Sequence, residues 1–255
     1  MVKQTREWYA KAEAVIMAVL QQQRPILLKA FGNVAHTLKD DKSVVTELDK
    51  KLEQELRAAL IKFDDSIPIV GEEFGGDISA ETFWLIDPID GTESFIRGLP
   101  LPRNMVALVV DNEPVFALVY KFVTDELYIA IKDQGTTRNG QAVHVSQRPL
   151  DRVWPELGGD FKNPEVIKKF MELNLRVQGF AQLRDFPAVA KGAVDGLIIF
   201  HSHGGIWDIV PRALLIKEAG GRISNVGSSG YNIREMSLIA TNPVIFEAVT
   251  EIMNS

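Results

Sequence analysis

The spacing of apolar and polar positions predicts helices at the start of the chain and strands after them. Residues 4–31 form an amphipathic pattern that predicts one long helix, bent or interrupted near Pro25. A second helix is predicted over residues 46–63, where leucine recurs at every fourth position (Leu48, Leu52, Leu56 and Leu60). Short apolar runs at 67–70 and 82–86 predict strands, and acidic residues follow each of them.

The middle and the end of the chain carry different patterns. Apolar β-formers over residues 104–131 alternate with turn residues and predict an antiparallel meander, with turns at Asp111–Asn112 and Thr124–Asp125. Beyond residue 150, short strand patterns alternate with helical ones. A helix is predicted over 206–221, where two glycines end it, and a last helix opens at Asn242–Pro243.

These elements predict an α/β (α+β) fold built from two halves. The first half, residues 1–150, contains the antiparallel sheet, and the second half, residues 151–255, is a mixed α/β unit. A chain of 255 residues is long enough to bury a substantial core, whether it forms one large domain or two closely packed halves.

Composition and charge exclude several classes of function. A formal net charge of -6 argues against non-specific binding of nucleic acid. The absence of cysteine excludes disulfides, a thiolate nucleophile and cysteine-ligated zinc. No apolar run approaches the length of a bilayer span, and the charged first 32 residues do not resemble a signal peptide. We therefore expect a cytoplasmic protein without nucleic-acid or membrane partners.

Four carboxylates stand out by their positions beside predicted elements. They are the side chains of Glu72, Asp87, Asp90 and Asp208. Oxygen ligands of this kind select hard cations such as Mg²⁺. Gly91 and Thr92 directly follow Asp90 at a predicted helix start, where backbone amides and a hydroxyl can bind phosphate.

Each of these residues also has a purely structural interpretation. The segment "DPID" is consistent with a turn that caps a helix, and Glu72 with an exposed position at a strand end. Asp208 is consistent with a favourable charge at a helix start. Asp49, three residues after Thr46, fits a capping box.

Three motifs together resemble the inositol monophosphatase family. They are "GEE" (71–73), "WLIDPIDGTESF" (84–95) and "WDIVPRALLIKEAGG" (207–221). This is a lithium-sensitive, Mg²⁺-dependent sugar-phosphatase superfamily that also includes fructose-1,6-bisphosphatases and nucleotide 3′-phosphatases. The resemblance implies a layered α-β-α-β-α sandwich, a homodimer and a small phosphorylated metabolite as substrate.

The resemblance also implies a role for each motif residue at a site with two to three Mg²⁺ ions. Glu72 would ligate the first ion and help to hold a third, Asp87 would bridge the first and second ions, and the carbonyl of Ile89 would complete the first site. Asp90 and Asp208 would hold the second ion.

The same resemblance assigns phosphate binding and proton transfer. The amides of Gly91 and Thr92 would bind phosphate. The Thr92 hydroxyl and Asp49 would form a dyad that, with Glu72, relays a proton from the attacking water. Water would then attack directly, without a covalent intermediate.

The segment that selects the substrate departs from the inositol-specific pattern. His201 stands seven residues before Asp208, where those members have glutamate, and residues 180–192 lack their small-residue helix start. Asp185 and His201 are predicted to contact substrate. His201 and His203 could contact a sugar or bind a metal, and polar residues at the rim of the pocket are the preferred interpretation for both. Arg97, Arg103 and Arg184 are interpreted as ligands of a second phosphate or of a carboxylate, or as surface or fold-supporting residues.

Several substrates and one different class of function remain as hypotheses. Inositol-1-phosphate is the first candidate. Fructose-1,6-bisphosphate, histidinol phosphate and 3′-phosphoadenosine 5′-phosphate are the alternatives within the superfamily. The hypothesis of another class is a non-catalytic descendant that binds phosphorylated ligands.

Overall fold

The computed structural model describes residues 4–38, 44–152, 155–158, 168, 178–179, 185–200 and 204–254. The chain divides into two compact units, Met1–Leu127 and Tyr128–Ser255. A division into halves near residue 150 stays a prediction.

In its described residues, the first unit combines three helices with a mostly antiparallel sheet. Its helices are α1 (Arg6–Ala30), α2 (Glu47–Phe63) and α3 (Thr92–Ile96). Its strands are β1 (Thr37–Leu38), β2 (Val44–Val45), β3 (Ile69–Gly71), β4 (Phe83–Asp90), β5 (Arg103–Val110) and β6 (Glu113–Lys121). β1 and β2 form an antiparallel pair. The other strands pair in the order β3-β4-β5-β6, with β3 parallel to β4 and the remaining pairs antiparallel.

Helix α1 runs without interruption through Pro25, so of the predicted bend or interruption near that residue the interruption is absent. Proline removes one backbone hydrogen bond from a helix interior, and beside it Arg24 Nε donates to the carbonyl of Phe122 at 2.8 Å. Trp8 stacks on Trp84 of β4 with ring centroids 5.9 Å apart, and Tyr9 stacks on Phe116 of β6 at the same distance. These contacts fix α1 against the sheet.

Helix α2 begins at the predicted capping box. The Thr46 side chain accepts from the amides of Leu48 and Asp49, and the Asp49 carboxylate accepts from the Thr46 amide. Three of the four predicted leucines are fully buried (Leu52, Leu56 and Leu60). The helical period read from the sequence is therefore confirmed, because the apolar stripe lies against the core.

The predicted meander is confirmed for β5 and β6. Asp111 and Asn112 both have positive φ angles, 51° and 61°, as the tight turn between two antiparallel strands requires. The next strand, β7 (Glu126–Ile131), begins in the first unit and ends in the second.

The second unit is a mixed α/β structure. The end of β7 pairs with β8 (Gly135–Arg138), and β8 pairs with β9 (Gln141–Val143). After a 3₁₀ turn (Leu150–Arg152), the remaining strands are β10 (Pro155–Gly158), β11 (Gln178–Gly179), β12 (Gly196–Ile199), β13 (Arg222–Ser224) and β14 (Leu238–Thr241). They pair in the order β11-β10-β12-β14-β13, parallel among the first three and antiparallel among the last three.

Three helices accompany these strands in the described part of the second unit: α4 (Phe186–Ala190), α5 (Ile206–Glu218) and α6 (Phe246–Asn254). The last helix begins four residues later than predicted. Asn242 Oδ1 accepts from the amides of Val244 and Ile245, which forms a turn before the helix.

The predicted α/β (α+β) class, with an antiparallel first sheet and a mixed second unit, is confirmed. Among the described helices, none has the length and apolar character that a bilayer crossing requires.

Candidate metal and phosphate site

An irregularity in β4 brings two aspartates together. Asp87 is opposite Met105, and Asp90 is opposite Arg103, so β4 has one more residue than β5 between these pairs. Residues three apart in a regular strand point to opposite faces, and one extra residue reverses that alternation. Carboxylate oxygens of Asp87 and Asp90 lie within 4.8 Å of each other, and both side chains are buried.

The local chemistry at this bulge fits a hard cation. Two buried carboxylates this close repel each other unless a positive charge lies nearby. Carboxylate and carbonyl oxygens are the ligands that Mg²⁺ prefers. Asn104 Nδ2 donates to the carbonyl of Pro88 at 2.6 Å and fixes the bulged backbone from the opposite strand. The sequence-predicted strand ended before Asp87, whereas the structure continues it to Asp90 because β5 pairs with both aspartates.

The strand register places Glu72 beside Asp87. Gly71 at the end of β3 is the parallel partner of Ile86 in β4. Glu72 and Asp87 are the residues that follow this pair along the two segments. The Glu72 amide donates to the carbonyl of Ile86 at 3.1 Å. Carboxyl ends of adjacent parallel strands share one sheet edge, which accounts for the proximity of two acidic motifs 15 residues apart.

A buried ion pair on α2 supports the loop that carries Glu72. The carboxylate of Glu53 is fully buried, and it accepts from the amides of Glu73 at 2.7 Å and Phe74 at 3.3 Å. Arg57 Nε donates to Glu53 at 2.7 Å. The Arg57 guanidinium also donates to the carbonyls of Ile69 and Gly75. Glu53 and Arg57 therefore satisfy the backbone on both sides of Glu72.

Gly71→Ala is expected to lower the free energy of unfolding by about 1–3 kcal/mol, the usual cost of overpacking. A Cβ at this position would lie 2.1 Å from Glu53 Oε1. Glu53 cannot move away cheaply, because its carboxylate holds Arg57 and two amides. Urea denaturation of the purified variant measures the change.

Gly230→Ala is the matched control, since a Cβ there meets nothing within 4 Å. That variant should unfold within about 0.5 kcal/mol of the wild type, apart from a small effect on the unfolded chain. Equal stabilities for the two variants would show that the contact between Gly71 and Glu53 does not constrain the loop.

The predicted dyad of Asp49 and Thr92 is joined by a hydrogen bond. Thr92 Oγ1 lies 3.1 Å from Asp49 Oδ1 and 3.0 Å from the carbonyl oxygen of Ile89. One hydroxyl proton has two acceptors at this position. The other oxygen of Asp49, Oδ2, accepts from the amide of Thr46 at 2.9 Å and from its hydroxyl at 2.5 Å. Asp49 is therefore both a capping residue and the partner of Thr92, so its two interpretations from the sequence are compatible.

Burial raises the pKa of the Asp49 carboxyl above its ordinary value, and the hydrogen bonds from Thr46 and Thr92 oppose that shift in part. The side chain is 1% exposed. A carboxylate with a raised pKa is a better proton acceptor than a surface aspartate, which suits it to a base.

Gly91 has the left-handed conformation that the start of α3 requires. Its φ angle is +85°, a region that side chains rarely adopt, and it is the residue before Thr92 at the helix start. The predicted helix start after Asp90 is thus confirmed, although α3 has only five residues.

In the second unit, Asp208 lies in the first turn of α5. Its Oδ2 accepts from the amide of Gly205 at 2.9 Å, and a Cβ on Gly204 would lie 1.7 Å from the same oxygen. Asp208 Oδ1 lies 3.5 Å from Arg212 Nη2, one turn along the helix. Asp185, a predicted substrate contact, precedes α4.

The arginines and histidines of the predicted pocket separate into three groups. Arg97 is an exposed residue that pairs with Glu93, in line with a surface position. Arg103 is 3% exposed, so its interpretation as a surface residue is wrong. Arg184, His201 and His203 lie outside the described residues.

Sequence reasoning missed Glu53, Arg57 and the role of Arg103. A signal for the first two was present, because Glu53 lies between Leu52 and Leu56 on the buried face of α2 and precedes Arg57 by one turn. An acidic residue on a buried stripe needs a partner. No such signal identified Arg103, whose position opposite Asp90 depends on the register of β4 and β5.

Comparison with known proteins covers the whole chain. Residues 2–255 match the inositol monophosphatase family. Inositol monophosphatase 1 of Solanum lycopersicum is 30% identical over 243 residues, which cover 89% of this chain and 88% of that protein. A fructose-1,6-bisphosphatase/inositol-1-monophosphatase of Aquifex aeolicus is 29% identical over 241 residues, 89% of each chain. A histidinol-phosphatase of Mycobacterium tuberculosis is 27% identical over 234 residues, 85% of this chain and 87% of that one.

The fold comparison agrees. The solved structure of an IMPase of Thermotoga maritima superposes with a TM-score of 0.82 and 25% sequence identity, and it covers 96% of this chain and 97% of that one. The family and these relatives are phosphatases. The chain therefore belongs to the inositol monophosphatase family and is a phosphoric monoester hydrolase.

Proposed function

We propose that the protein is a Mg²⁺-dependent phosphomonoesterase that hydrolyses a small phosphorylated metabolite, with inositol-1-phosphate as the first candidate. The observation that carries this proposal is the bulge that brings Asp87 and Asp90 together, followed directly by the hydrogen bond between Thr92 and Asp49. Acidic ligands and a helix start thus follow one another between β4 and α3, and the buried Asp49 of α2 contacts that helix start.

In this proposal Glu72, Asp87 and the carbonyl of Ile89 would hold the first Mg²⁺, and Asp87, Asp90 and Asp208 would hold the second. Glu72 also helps to hold a third ion, which gives two to three ions for the complete site. When bound, these cations neutralise the phosphate and lower the pKa of a coordinated water. Carboxylate oxygens are available for Mg²⁺ binding in each unit. In the first unit they belong to the buried pair Asp87 and Asp90, and in the second to Asp208, whose side chain caps the start of α5.

The protein's own residues move the proton and hold the phosphate. Thr92 Oγ1 passes its proton to Asp49 Oδ1 as it takes one from the attacking water, with Glu72 as the third member of the relay. The raised pKa of Asp49 favours that acceptance. The amides of Gly91 and Thr92 bind the phosphate, and the left-handed Gly91 sets their direction. Asp208, Asp185 and His201 contact the rest of the substrate.

Two other substrates have direct support from the relatives' names. Fructose-1,6-bisphosphate and histidinol phosphate are substrates that those names indicate for proteins of similar identity to this chain. The residue His201, at the position of a glutamate in inositol-specific members, also favours a test beyond inositol phosphates.

Phosphate release measured with Mg²⁺, with EDTA and with lithium tests the proposal. The panel contains inositol-1-phosphate, fructose-1,6-bisphosphate, histidinol phosphate and 3′-phosphoadenosine 5′-phosphate. We expect turnover that depends on Mg²⁺, stops with EDTA and decreases with lithium. A kcat/KM about a hundredfold higher for another ester would replace inositol-1-phosphate as the substrate. No turnover of any ester would contradict the proposed activity.

Two further properties are proposed from the family and the composition. We propose a homodimer, which light scattering of the purified protein would measure directly. We also propose a cytoplasmic protein without nucleic-acid or membrane partners, and the net charge of -6 supports the first of these absences. Fractionation of expressing cells tests the location.

A further inference from the structure

A buried arginine faces Asp90 from the neighbouring strand. Arg103 is the partner of Asp90 in the β4–β5 register, and its Nε lies 2.8 Å from Asp90 Oδ2. The two side chains are 4% and 9% exposed. The surface pair of Arg97 and Glu93, by contrast, is 63% and 55% exposed. Water screens the charges of the exposed pair of Arg97 and Glu93, whereas it has little access to the buried pair of Arg103 and Asp90.

This contact places a fixed positive charge beside a proposed metal ligand. A guanidinium carries one delocalised positive charge and only hydrogen-bond donors. A carboxylate has two oxygens with about four lone-pair directions, so an arginine on Oδ2 does not by itself prevent Asp90 from ligating a cation. A cation held by Asp90 would, however, lie close to the guanidinium, where low dielectric would strengthen their repulsion.

The second unit contains an arrangement of the same kind. Arg212, 2% exposed, lies 3.5 Å from Asp208 Oδ1, and the ring of Phe186 packs against its guanidinium with 5.1 Å between the guanidinium carbon and the ring centroid. Asp90 and Asp208, both assigned to the second Mg²⁺, thus each have a buried arginine within their own unit.

We propose that Arg103 is a built-in counter-ion that weakens the binding of the second divalent cation by Asp90. This role rests on the proposed function, in which Asp90 is a ligand of the second Mg²⁺, and it makes Arg103 the residue that sets the affinity for that ion. When the cation leaves, Arg103 neutralises Asp90 and keeps the carboxylate in position. An ion on Asp90 would therefore bind more weakly than it would without that charge, and it is assigned to the weaker phase of a Mg²⁺ titration.

Mg²⁺ titration of the full-length protein by calorimetry, with melting temperatures in EDTA and in Mg²⁺, tests this proposal without any substrate. Arg103→Met is expected to increase the affinity of the weaker Mg²⁺ phase by about tenfold or more, because it removes the repelling charge. It should also melt lower than wild type in EDTA and gain more from Mg²⁺, since the cation then supplies the missing charge. Arg103→Lys keeps the charge and should keep the weak phase.

Arg97→Met is the matched control, because it removes an exposed arginine from an ion pair that does not include a proposed ligand. Its Mg²⁺ titration should equal that of the wild type. If Arg103→Met does not fold, a tenfold gain in Arg103→Gln supports the proposal, and unchanged affinity in that variant overturns it.

The outcomes separate this inference from the proposed function. Turnover and Mg²⁺ binding by the wild type, with equal or weaker binding by Arg103→Met, would overturn the counter-ion role alone. Absence of Mg²⁺ binding in wild type and variant, together with no turnover, would overturn both.

Discussion

Asp90→Asn is expected to reduce turnover by at least about a thousandfold, the scale on which a residue of the catalytic unit acts. It should also lower the free energy of unfolding by about 3–5 kcal/mol, because the substitution leaves the charge of Arg103 buried without its carboxylate partner. The sequence alone predicts a loss of turnover with the fold intact. The buried pair at 2.8 Å changes that expectation, and stability should decrease as well.

Urea denaturation in EDTA and phosphate release in saturating Mg²⁺ measure the two effects of this substitution separately. The double variant Asp90→Asn with Arg103→Met removes both charges, and it should recover most of the stability without recovering turnover. A restored activity in the double variant would show that Asp90 acts only by pairing with Arg103 and is not a ligand.

Glu247→Gln provides the control for the loss of a carboxylate opposite an arginine. Glu247 and Arg222 form an ion pair on the surface, with side chains 76% and 47% exposed. Exposed pairs contribute about 0–1 kcal/mol, so this variant should keep both stability and turnover. A loss equal to that of Asp90→Asn would show that burial of the pair does not determine the cost.

Much of the fold could be predicted because its helices carry their signals locally. The capping box at Thr46 and the leucine stripe of α2 are both properties of a short segment. The continuity of α1 through Pro25 could not be predicted in the same way, since proline lowers helix propensity locally, whereas Arg24 beside it donates to the carbonyl of Phe122, 98 positions away. Local propensity is overridden by tertiary contacts of this kind.

The acidic pair of the site was predictable by type and spacing, but its geometry was not. Asp87 and Asp90 could be identified from "DPID", whereas their convergence depends on a bulge against β5 and on the hydrogen bond from Asn104. Bulges arise from pairing between strands, which a single sequence does not reveal. The same register places Arg103 opposite Asp90, and for that reason its role became visible only in the structure.

Asp49→Asn is expected to reduce kcat by about 10²–10⁴-fold while the protein stays folded. Asparagine keeps the size of the side chain and can still cap α2 through its oxygen, but it cannot accept a proton from Thr92. Glu47→Gln, in the same helical turn and exposed, is the control and should keep full activity. Phosphate release at saturating Mg²⁺ measures both.

The pH dependence of stability gives this variant a second, independent readout. Burial raises the pKa of Asp49, so the folded wild type resists ionisation that the unfolded chain undergoes at the ordinary aspartate pKa. A neutral Asp49 therefore stabilises the folded wild type at low pH. This contribution to the free energy of unfolding is lost as the pH rises from the ordinary aspartate pKa through the raised pKa of Asp49. Asparagine does not ionise, so the stability of Asp49→Asn relative to wild type should increase over that window in EDTA. A constant difference would show that the pKa of Asp49 is not raised.

Combination with Thr92→Ala decides whether the two residues act together. If Thr92 and Asp49 form one proton-transfer unit through their 3.1 Å hydrogen bond, either substitution alone disables it. The double variant should then be about as active as each single variant, because groups that act as a unit are not additive. Losses in kcat that multiply would show that the two residues act independently, with Asp49 serving α2 as a cap and Thr92 acting on the phosphate without it.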